Sequence, residues 1–398
     1  MHAGASDALT RLLVAGIEAG GPIPFARFME AALYHPEHGY YTRGLGGGGG
    51  RDYATSSGLS RVYGAMLARQ AAEMWHRLGE PDRFRFVEFG PGEGTFACDF
   101  LRAAAETPRF ARALEYLLIE TSPALAARQA ERLARHAPSS AAGAEAWRHL
   151  TLESLEAEAP IEGCLFANEV LDAFPAHRIV GTPDGPLEVH VDAQGGALVE
   201  RLLPIAEAAT RDDLAARGLR PEPGQTIDIQ PAAGRFVTRA ARCLGRGWFV
   251  VVDYGYEAAD LFHPARRRGT LMAYHRHRAG EAFLERPGEQ DLTAHVDFTA
   301  VARAAAAGGL ALAGMSSQAR FLLALGALDQ YESSDLRERE AIKDLVLPDR
   351  MGGVFRVMIL ASRGLETGLR GLGPVTPPAP SQQLPGSPGR ADRAVGIA

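Results

Sequence analysis

Three glycines in alternate positions follow an acidic residue in the stretch Glu88–Gly94, which reads Glu-Phe-Gly-Pro-Gly-Glu-Gly. Gly90, Gly92 and Gly94 allow backbone angles that other residues avoid, and they leave the backbone open to a ligand. A dinucleotide phosphate loop has the spacing G-x-G-x-x-G, whereas this turn has the spacing E-x-G-x-G-x-G. The pattern therefore favours a ligand without a pyrophosphate, such as S-adenosylmethionine (SAM), whose amino-acid portion would lie across the glycines.

Polar side chains also end three other apolar segments. Glu120 follows the run from Leu114 and lies 26 residues beyond Gly94, where an acid commonly accepts hydrogen bonds from ribose hydroxyls. Asn168 and Glu169 end a later run, and Asp253 ends the run Trp248–Asp253. Because ligands of open α/β sheets bind beyond the carboxyl ends of the strands, we expect these groups and Glu88 to share one edge.

Methyl transfer from SAM asks mainly for alignment of the acceptor and exclusion of water, because the sulfonium is already activated. If the acceptor is a guanidinium, nearby carboxylates orient it and spread its charge. Glu169 and Asp172 suit that role by type and by position. For Asp172, a helix N-cap or a surface acid is an equally good interpretation.

Basic and imidazole side chains are concentrated in residues 261–297. An anion or a polypeptide could be bound by Arg267, Arg268, His275 and His277. His275-x-His277 has no acidic or cysteine partner at a ligand spacing nearby, so we predict no metal site. His295 and Asp297 are a more specific pair, and we expect them to position loop backbone rather than substrate.

The elements needed to position these residues follow from periodicity and turn signals. Helices are predicted over residues 6–19, 24–34, 62–78, 95–101, 123–135 and 232–244, and an antiparallel meander over 177–203. Residues 44–50 and 261–297 are predicted to be loops, and the Pro- and Gly-rich residues from 364 onward a disordered tail. We expect a helical N-terminal segment over 1–80 and one catalytic domain over 81–363, with insertions at about 177–230 and 256–300.

Composition bounds the class of protein. Apolar residues make up 46% of the chain and charged residues 23%, as in ordinary globular proteins. The net charge of −6 argues against a general nucleic-acid binder. Three scattered cysteines, with no recognisable signal peptide, Arg-rich transit peptide or bilayer-length apolar run, lead us to expect a cytoplasmic protein without a membrane span. A homodimer is an open possibility.

These features resemble the MidA-like SAM-dependent methyltransferases, a family that includes the mitochondrial complex I assembly-factor methyltransferase. The resemblance extends over most of residues 25–360. The similar motifs are Tyr34–Tyr41, Glu88–Thr95, Asn168–Pro175, Asp253–Tyr256, Gly269–Met272 and Gln290–Thr299.

The resemblance implies a class I methyltransferase (Rossmann-like) α/β sheet with helices on both faces, SAM as methyl donor, and symmetric dimethylation of protein arginine in support of complex I assembly. It places Asp52, Thr55 and Ser56 beside the cofactor with Glu88, the glycines and Glu120, and it places Asn168, Glu169, Asp172 and His295 beside the acceptor. After the glycine-rich loop the family has Thr-Ser-Pro-Glu, whereas this chain has Thr55-Ser56-Ser57-Gly58. Gly58 stands where the family has glutamate. If that glutamate contacts the substrate in the family, the methyl acceptor of this chain differs from theirs.

Three other functions remain open from the sequence. A small-molecule O- or N-methyltransferase would share the donor site. An assembly chaperone would bind SAM and a partner without turnover. A nicotinamide-dependent oxidoreductase is disfavoured by the glycine spacing.

Overall fold

The structure is a computed structural model that describes residues 5–45, 56–137, 147–276, 278–332 and 334–374. Its helices are α1 (Ala5–Gly20), α2 (Phe25–Tyr34), α3 (Ser56–Leu59), α4 (Arg61–Arg77), α5 (Thr95–Ala104), α6 (Pro108–Ala113), α7 (Pro123–His136), α8 (Leu152–Ala157), α9 (Ala208–Ala216), α10 (Pro231–Cys243), α11 (Ala258–Leu261), α12 (Phe298–Ala307), α13 (Gln318–Ala324), α14 (Leu336–Val346) and α15 (Met351–Val354). Short 3₁₀ turns cover Ala327–Gln330 and Arg370–Leu372.

The strands are β1 (Ile23–Pro24), β2 (Phe84–Phe89), β3 (Leu114–Ile119), β4 (Trp147–Leu150), β5 (Ile161–Asn168), β6 (His177–Thr182), β7 (Gly185–Gln194), β8 (Ala197–Leu203), β9 (Thr226–Ile229), β10 (Leu244–Tyr256), β11 (Met272–His275), β12 (Arg278–Gly280), β13 (Asp291–Thr293), β14 (Val296–Asp297), β15 (Ala311–Ser317) and β16 (Phe355–Ala361).

The central sheet has the order β15-β16-β10-β5-β2-β3-β4. Strands β10, β5, β2, β3 and β4 are parallel to one another, and β16 and β15 are antiparallel additions at one side. The carboxyl ends of the five parallel strands therefore meet at one edge. This topology explains why the polar residues that follow these strands lie along the same edge.

Both faces of the central sheet are buried, which explains why its strands read as nearly continuous apolar runs. Phe86 and Val250 face a core shared with α4, α5 and α13. Val87 and Val251, one residue further on, face a second core shared with α8, α10 and α12. This alternation with a period of two places helices on both faces. It confirms the predicted α/β class.

A second sheet carries the predicted antiparallel meander. Strands β6, β7 and β8 pair in sequence, β9 joins β6, and the short β1 joins β7. Helix α2 packs beside this sheet through Phe25, Phe28 and Met29. The N-terminal segment is therefore attached to the meander.

The outcomes for two predicted irregular segments differ. Residues 261–297 are mainly loop, as predicted, but β11, β12 and β13 form a small antiparallel sheet within them. Strands of three or four residues are too short to show the alternation by which strands are recognised. The chain also stays packed beyond Gly364, since Leu369 is buried and the Gly371 N–H donates to Gln70 Oε1 at 2.9 Å.

Two further observations concern only the described part of the chain. None of its helices combines the length and apolar character needed to cross a bilayer. Its cysteines, Cys98, Cys164 and Cys243, are buried free thiols.

Candidate functional site

The glycine turn after β2 has the backbone conformation that the sequence predicts. Gly90, Gly92 and Gly94 have φ angles of 62°, 54° and 75°, which side-chain-bearing residues rarely adopt. The Gly90 N–H donates to the Ile119 carbonyl at 3.1 Å, so the turn is tied to the end of β3. A Cβ atom at Gly90 would lie 3.1 Å from Val170, which shows how closely the turn approaches the end of β5. The turn is a narrow backbone cradle that opens at the start of α5.

Glu88 lies inside β2, one residue before its end, and not at the strand end as the sequence suggested. Its side chain is 4% exposed and accepts a hydrogen bond from the Tyr116 hydroxyl at 2.6 Å. Burial raises the pKa of Glu88 from 4.5 to about 8. An ionised carboxylate here needs a positively charged partner, and the ammonium and sulfonium of SAM are of that kind.

The raised pKa of Glu88 predicts a pH-dependent effect of Glu88→Gln on stability. Between about pH 4.5 and 8 the folded protein keeps a proton that the unfolded chain has released, so the wild type loses stability as the pH rises. The substitution removes this pH-dependent loss. The free energy of unfolding of the variant should therefore gain on that of the wild type as the pH rises, by on the order of 4 kcal/mol at pH 8. Urea unfolding at a series of pH values measures the difference.

The matched control for this experiment is Glu257→Gln, a substitution at an exposed position just before α11. Its unfolding free energy should stay parallel to the wild-type curve. Parallel curves for Glu88→Gln as well would contradict the burial of an ionisable group beneath the glycine turn.

Glu120 follows β3, and its carboxylate is held at the glycine turn. It accepts hydrogen bonds from the Ser122 N–H at 2.8 Å and from Gln129 Nε2 at 2.9 Å. The same amide of Gln129 donates to the Gly92 carbonyl at 2.7 Å. Ser122 also caps α7 by accepting from the Leu125 N–H. Gln129 thus joins the turn to Glu120, a role that the sequence analysis missed.

Asn168 and Glu169 end β5 at the same edge. The Tyr63 hydroxyl donates to Asn168 Oδ1 at 2.5 Å, and Asn168 Nδ2 donates to Glu169 Oε1 at 3.2 Å. Glu169 has a φ of 53°, an unusual conformation for a residue with a side chain. Burial, followed by the charge of Asp172, raises its pKa to about 8. Tyr63 was another residue that the sequence analysis did not single out.

Asp253 braces the loop that carries Asp172. Its carboxylate accepts hydrogen bonds from the backbone N–H groups of Leu171, Asp172 and Tyr254 at 3.0, 3.3 and 3.0 Å. Asp172 is buried, hydrogen-bonds to the Tyr254 side chain, and begins no helix, so it is not an N-cap. Burial raises its pKa to about 6. Asp253 is therefore a structural group, and Asp172 remains a candidate for chemistry.

The Tyr254 side chain lies between His295 and Asp172. The His295 ring contacts Tyr254 and Tyr256, with centroid distances of 5.3 and 5.6 Å. Burial, with a smaller contribution from the charge of Arg266, lowers its pKa to about 4, so the ring is neutral near pH 7. Asp297, the other member of the predicted pair, caps α12 by accepting from the Ala300 N–H.

The cofactor contacts predicted for Asp52 and Thr55 lie outside the described residues. Ser56 is fully buried, and its N–H donates to Glu169 Oε1 at 3.0 Å. Its hydroxyl donates to Gln318 Oε1 at 2.9 Å. Ser56 therefore supports Glu169 directly.

Two tyrosines form an aromatic wall beside the carboxylates. Tyr34 is 39% exposed and stacks on Tyr41, with a centroid distance of 5.5 Å. The Tyr34 hydroxyl donates to the Ala173 carbonyl, and the Tyr41 hydroxyl to Asp291. Burial of the Tyr34 hydroxyl, followed by the charges of Asp291, Asp172 and Glu120, raises the pKa of this group, whereas part of the ring stays exposed. An accessible aromatic face among negative charges suits a cationic substrate group.

The described candidates among the histidines and arginines at the start of residues 261–297 bond to other protein groups. His275 Nδ1 bonds to the Glu289 carbonyl, while His277 is outside the described residues. Arg267 pairs with Glu222, and Arg268 with Glu281. Within the described ranges, no group of three His, Cys, Asp or Glu side chains could hold a metal ion.

Comparison with known proteins agrees with this geometry. Residues 66–316 match the model of a family described as "Putative S-adenosyl-L-methionine-dependent methyltransferase". A crystal structure from Burkholderia thailandensis, of a protein described as a "likely methyl transferase" and bound to S-adenosyl-homocysteine, is 35% identical. It has a TM-score of 0.81, covering 92% of this chain and 95% of that chain.

Curated relatives are similar over most of their length. The Drosophila melanogaster protein named "Protein arginine methyltransferase NDUFAF7 homolog, mitochondrial" is 27% identical over 88% of this chain and 84% of its own. The Rattus norvegicus protein arginine methyltransferase NDUFAF7 is 27% identical over 95% and 90%. These relatives are named as mitochondrial proteins, which contradicts the expected cytoplasmic location.

The arrangement fits SAM. The glycine cradle leaves the backbone open, and Glu88 and Glu120 supply carboxylates at the turn. The predicted cofactor and the resemblance proposed from the motifs are confirmed by the family match and by the relative bound to S-adenosyl-homocysteine. The chain belongs to the family of S-adenosyl-L-methionine-dependent methyltransferases.

Proposed function

We propose that this methyltransferase acts on arginine side chains of a protein, which Glu169 and Asp172 hold through the guanidinium. The observation that carries the proposal is a pair of neighbouring carboxylates with raised pKa values and, among the described residues, no ion pair to either. Burying two carboxylates without a cation is costly, and a guanidinium would supply the missing charge. The curated relatives are named protein arginine methyltransferases, which supports this choice.

The donor would be held by the glycine turn, Glu88 and Glu120. When bound, SAM supplies a methyl group already activated by its sulfonium. Gln129 fixes Glu120 and the Gly92 carbonyl relative to each other, and this rigidity would keep the donor side of the site in place.

The acceptor side would orient the guanidinium and take up a proton. The carboxylates of Glu169 and Asp172 can accept its N–H groups, as in other carboxylate–arginine pairs. The nitrogen that gains a methyl group must lose one proton, and the carboxylate of Glu169 can receive it when that group is ionised. Asn168, with Tyr63 behind it, would hold Glu169 in position. His295 is neutral and would keep the Tyr254 ring beside Asp172.

This proposal predicts that kcat/KM rises with pH. In the free enzyme Glu169 is protonated below about pH 8 and Asp172 below about pH 6, and only the ionised forms attract a guanidinium. The logarithm of kcat/KM should therefore increase toward about pH 8, and Glu169→Gln should remove the upper part of this increase. A pH profile of methyl incorporation at low substrate concentration measures it, and an unchanged profile in the variant would contradict the proposal.

The test of the proposed acceptor is incorporation of tritiated methyl groups from SAM into a cell lysate. Acid hydrolysis of the protein fraction should place the label in methylarginine, with the symmetric dimethyl form dominant. Label only in the organic-soluble fraction would instead identify a small-molecule O- or N-methyltransferase. Support of respiratory complex I assembly remains a prediction, which the identity of the labelled protein tests.

A further inference from the structure

A pocket outside the candidate site lies beside Tyr256, at the end of β10. Its volume is about 770 Å³, and Tyr256, Asp260, His263, Arg266, Arg267 and Arg268 line it. Three arginines and a histidine face one aspartate in this lining. The pocket is therefore a candidate binding site for an anion.

Two buried polar side chains hold the loop that carries the arginines, residues 262–271, through its backbone. Gln225, which is 2% exposed, donates through its amide to the carbonyls of Phe262, His263 and Arg266 at 3.2 to 3.3 Å. Asp228 accepts hydrogen bonds from the N–H groups of Thr270 and Leu271 at 2.6 and 2.9 Å. Such support at both ends preorganises a loop for binding.

Arg266 is the arginine of this loop that is available to a ligand. Arg267 and Arg268 form ion pairs with Glu222 and Glu281, whereas no ion pair involves Arg266 in the part of the chain that the structure describes. Its guanidinium carbon lies 4.7 Å from the centre of the Tyr256 ring. Its Nε atom is buried and, among the described residues, lacks a hydrogen-bond partner. A buried donor of this kind is costly unless a ligand satisfies it.

A row of side chains joins this pocket to the acceptor carboxylates. Tyr256 contacts both Arg266 and the His295 ring, and His295 contacts Tyr254, which hydrogen-bonds to Asp172. His295 Nδ1 is also buried without a partner among the described groups. The pocket is thus connected to Asp172 through three aromatic side chains, so the residues that flank an arginine held at Asp172 are the part of a substrate that would reach it.

We propose that Arg266 and this pocket bind an acidic side chain of the protein substrate, close in sequence to the target arginine. The inference rests on the proposed function, because it concerns the neighbour of the arginine that is methylated. A carboxylate fits because a guanidinium presents parallel N–H donors that match its two oxygens. The pocket would thereby select among the arginines of a substrate protein.

The test uses the full chain and fluorescent synthetic peptides that contain one arginine. The peptides come in pairs that differ only in having Asp or Asn at one position, and each pair places that residue at a different distance before or after the arginine. For one offset, the wild type should bind the Asp peptide about tenfold more tightly than the Asn peptide in fluorescence anisotropy. When the same peptides are methylated, the Asp peptide should have a lower KM than the Asn peptide, and the two should have similar kcat values. Arg266→Gln should abolish the preference, and Arg266→Lys should restore part of it.

The matched control is Arg303→Gln, an exposed arginine on α12, which should leave the preference unchanged. Equal binding of every Asp and Asn pair, or an equal loss in the control variant, would overturn the inference. A much tighter Arg266-dependent complex with phosphoserine in place of Asp would also overturn it, in favour of a phosphate site. Because anisotropy needs no turnover, absence of methylarginine would refute the proposed function while the pocket is still tested.

Discussion

Substitution of Gly92 by valine should abolish SAM binding while the protein remains folded. Gly92 has a φ of 54°, and its carbonyl is tied to Gln129, so the turn cannot relax easily around a branched side chain. The new side chain would occupy the backbone cradle in which the donor is expected to lie. We expect affinity to fall at least about a hundredfold, equivalent to about 2.7 kcal/mol, in isothermal titration with SAM.

Gly195→Val provides a matched control for backbone strain. Gly195 has a φ of 59° in the turn between β7 and β8, where an added Cβ atom meets nothing within 4 Å. This variant should lose a similar amount of stability, about 1–2 kcal/mol, yet bind SAM like the wild type. Equal affinities for Gly92→Val and the wild type would remove the glycine turn from the donor site. If Gly92→Val lost SAM but still supported assembly of a partner complex, a chaperone role would be favoured.

Glu169→Gln should lower the rate of methyl transfer strongly and leave SAM binding almost unchanged. Glutamine keeps the shape of the side chain and can still accept from the Ser56 N–H, but it removes the charge that would hold a guanidinium and receive its proton. Loss of one preorganised electrostatic group in an active site typically costs about 10²–10³ in kcat. Initial rates of methyl incorporation into lysate protein, at saturating SAM, measure the effect.

The exposed Glu257 again supplies the control, since Glu257→Gln should retain the wild-type rate. A rate for Glu169→Gln within a few-fold of the wild type would exclude Glu169 from the chemistry. A weaker affinity for SAM with an unchanged rate at saturation would instead assign Glu169 to the donor side.

Much of the donor side could be predicted from the sequence because its determinants are local. Alternate glycines need positive φ angles, and a strand, a tight turn and a helix follow one another within a short stretch. The parallel order of the strands then brings Glu120 and Asn168 to the same edge. Gln129 left a signal that was overlooked: it occupies the apolar face of α7, between the buried Leu125 and Leu133 at intervals of four residues.

The acceptor side depends on contacts between segments far apart in the chain, which periodicity does not report. Tyr34 reaches the Ala173 carbonyl across 139 residues, and Tyr63 reaches Asn168 across 105. From the sequence, Asp253 and Asp172 are both acids near the ends of apolar segments. Their hydrogen bonds distinguish them, because Asp253 accepts from the backbone N–H groups of Leu171 and Asp172 across 82 and 81 residues, whereas Asp172 bonds to the Tyr254 side chain.

The most direct measurement of the central claim is mass spectrometry of lysate proteins incubated with the enzyme and SAM that carries a deuterated methyl group. The wild type should place the heavy methyl group on arginine side chains of a small set of proteins, and Glu169→Gln should not. Heavy methyl groups found only on lysine, carboxylate or hydroxyl groups, or only on small molecules, would contradict the assignment of arginine as the acceptor.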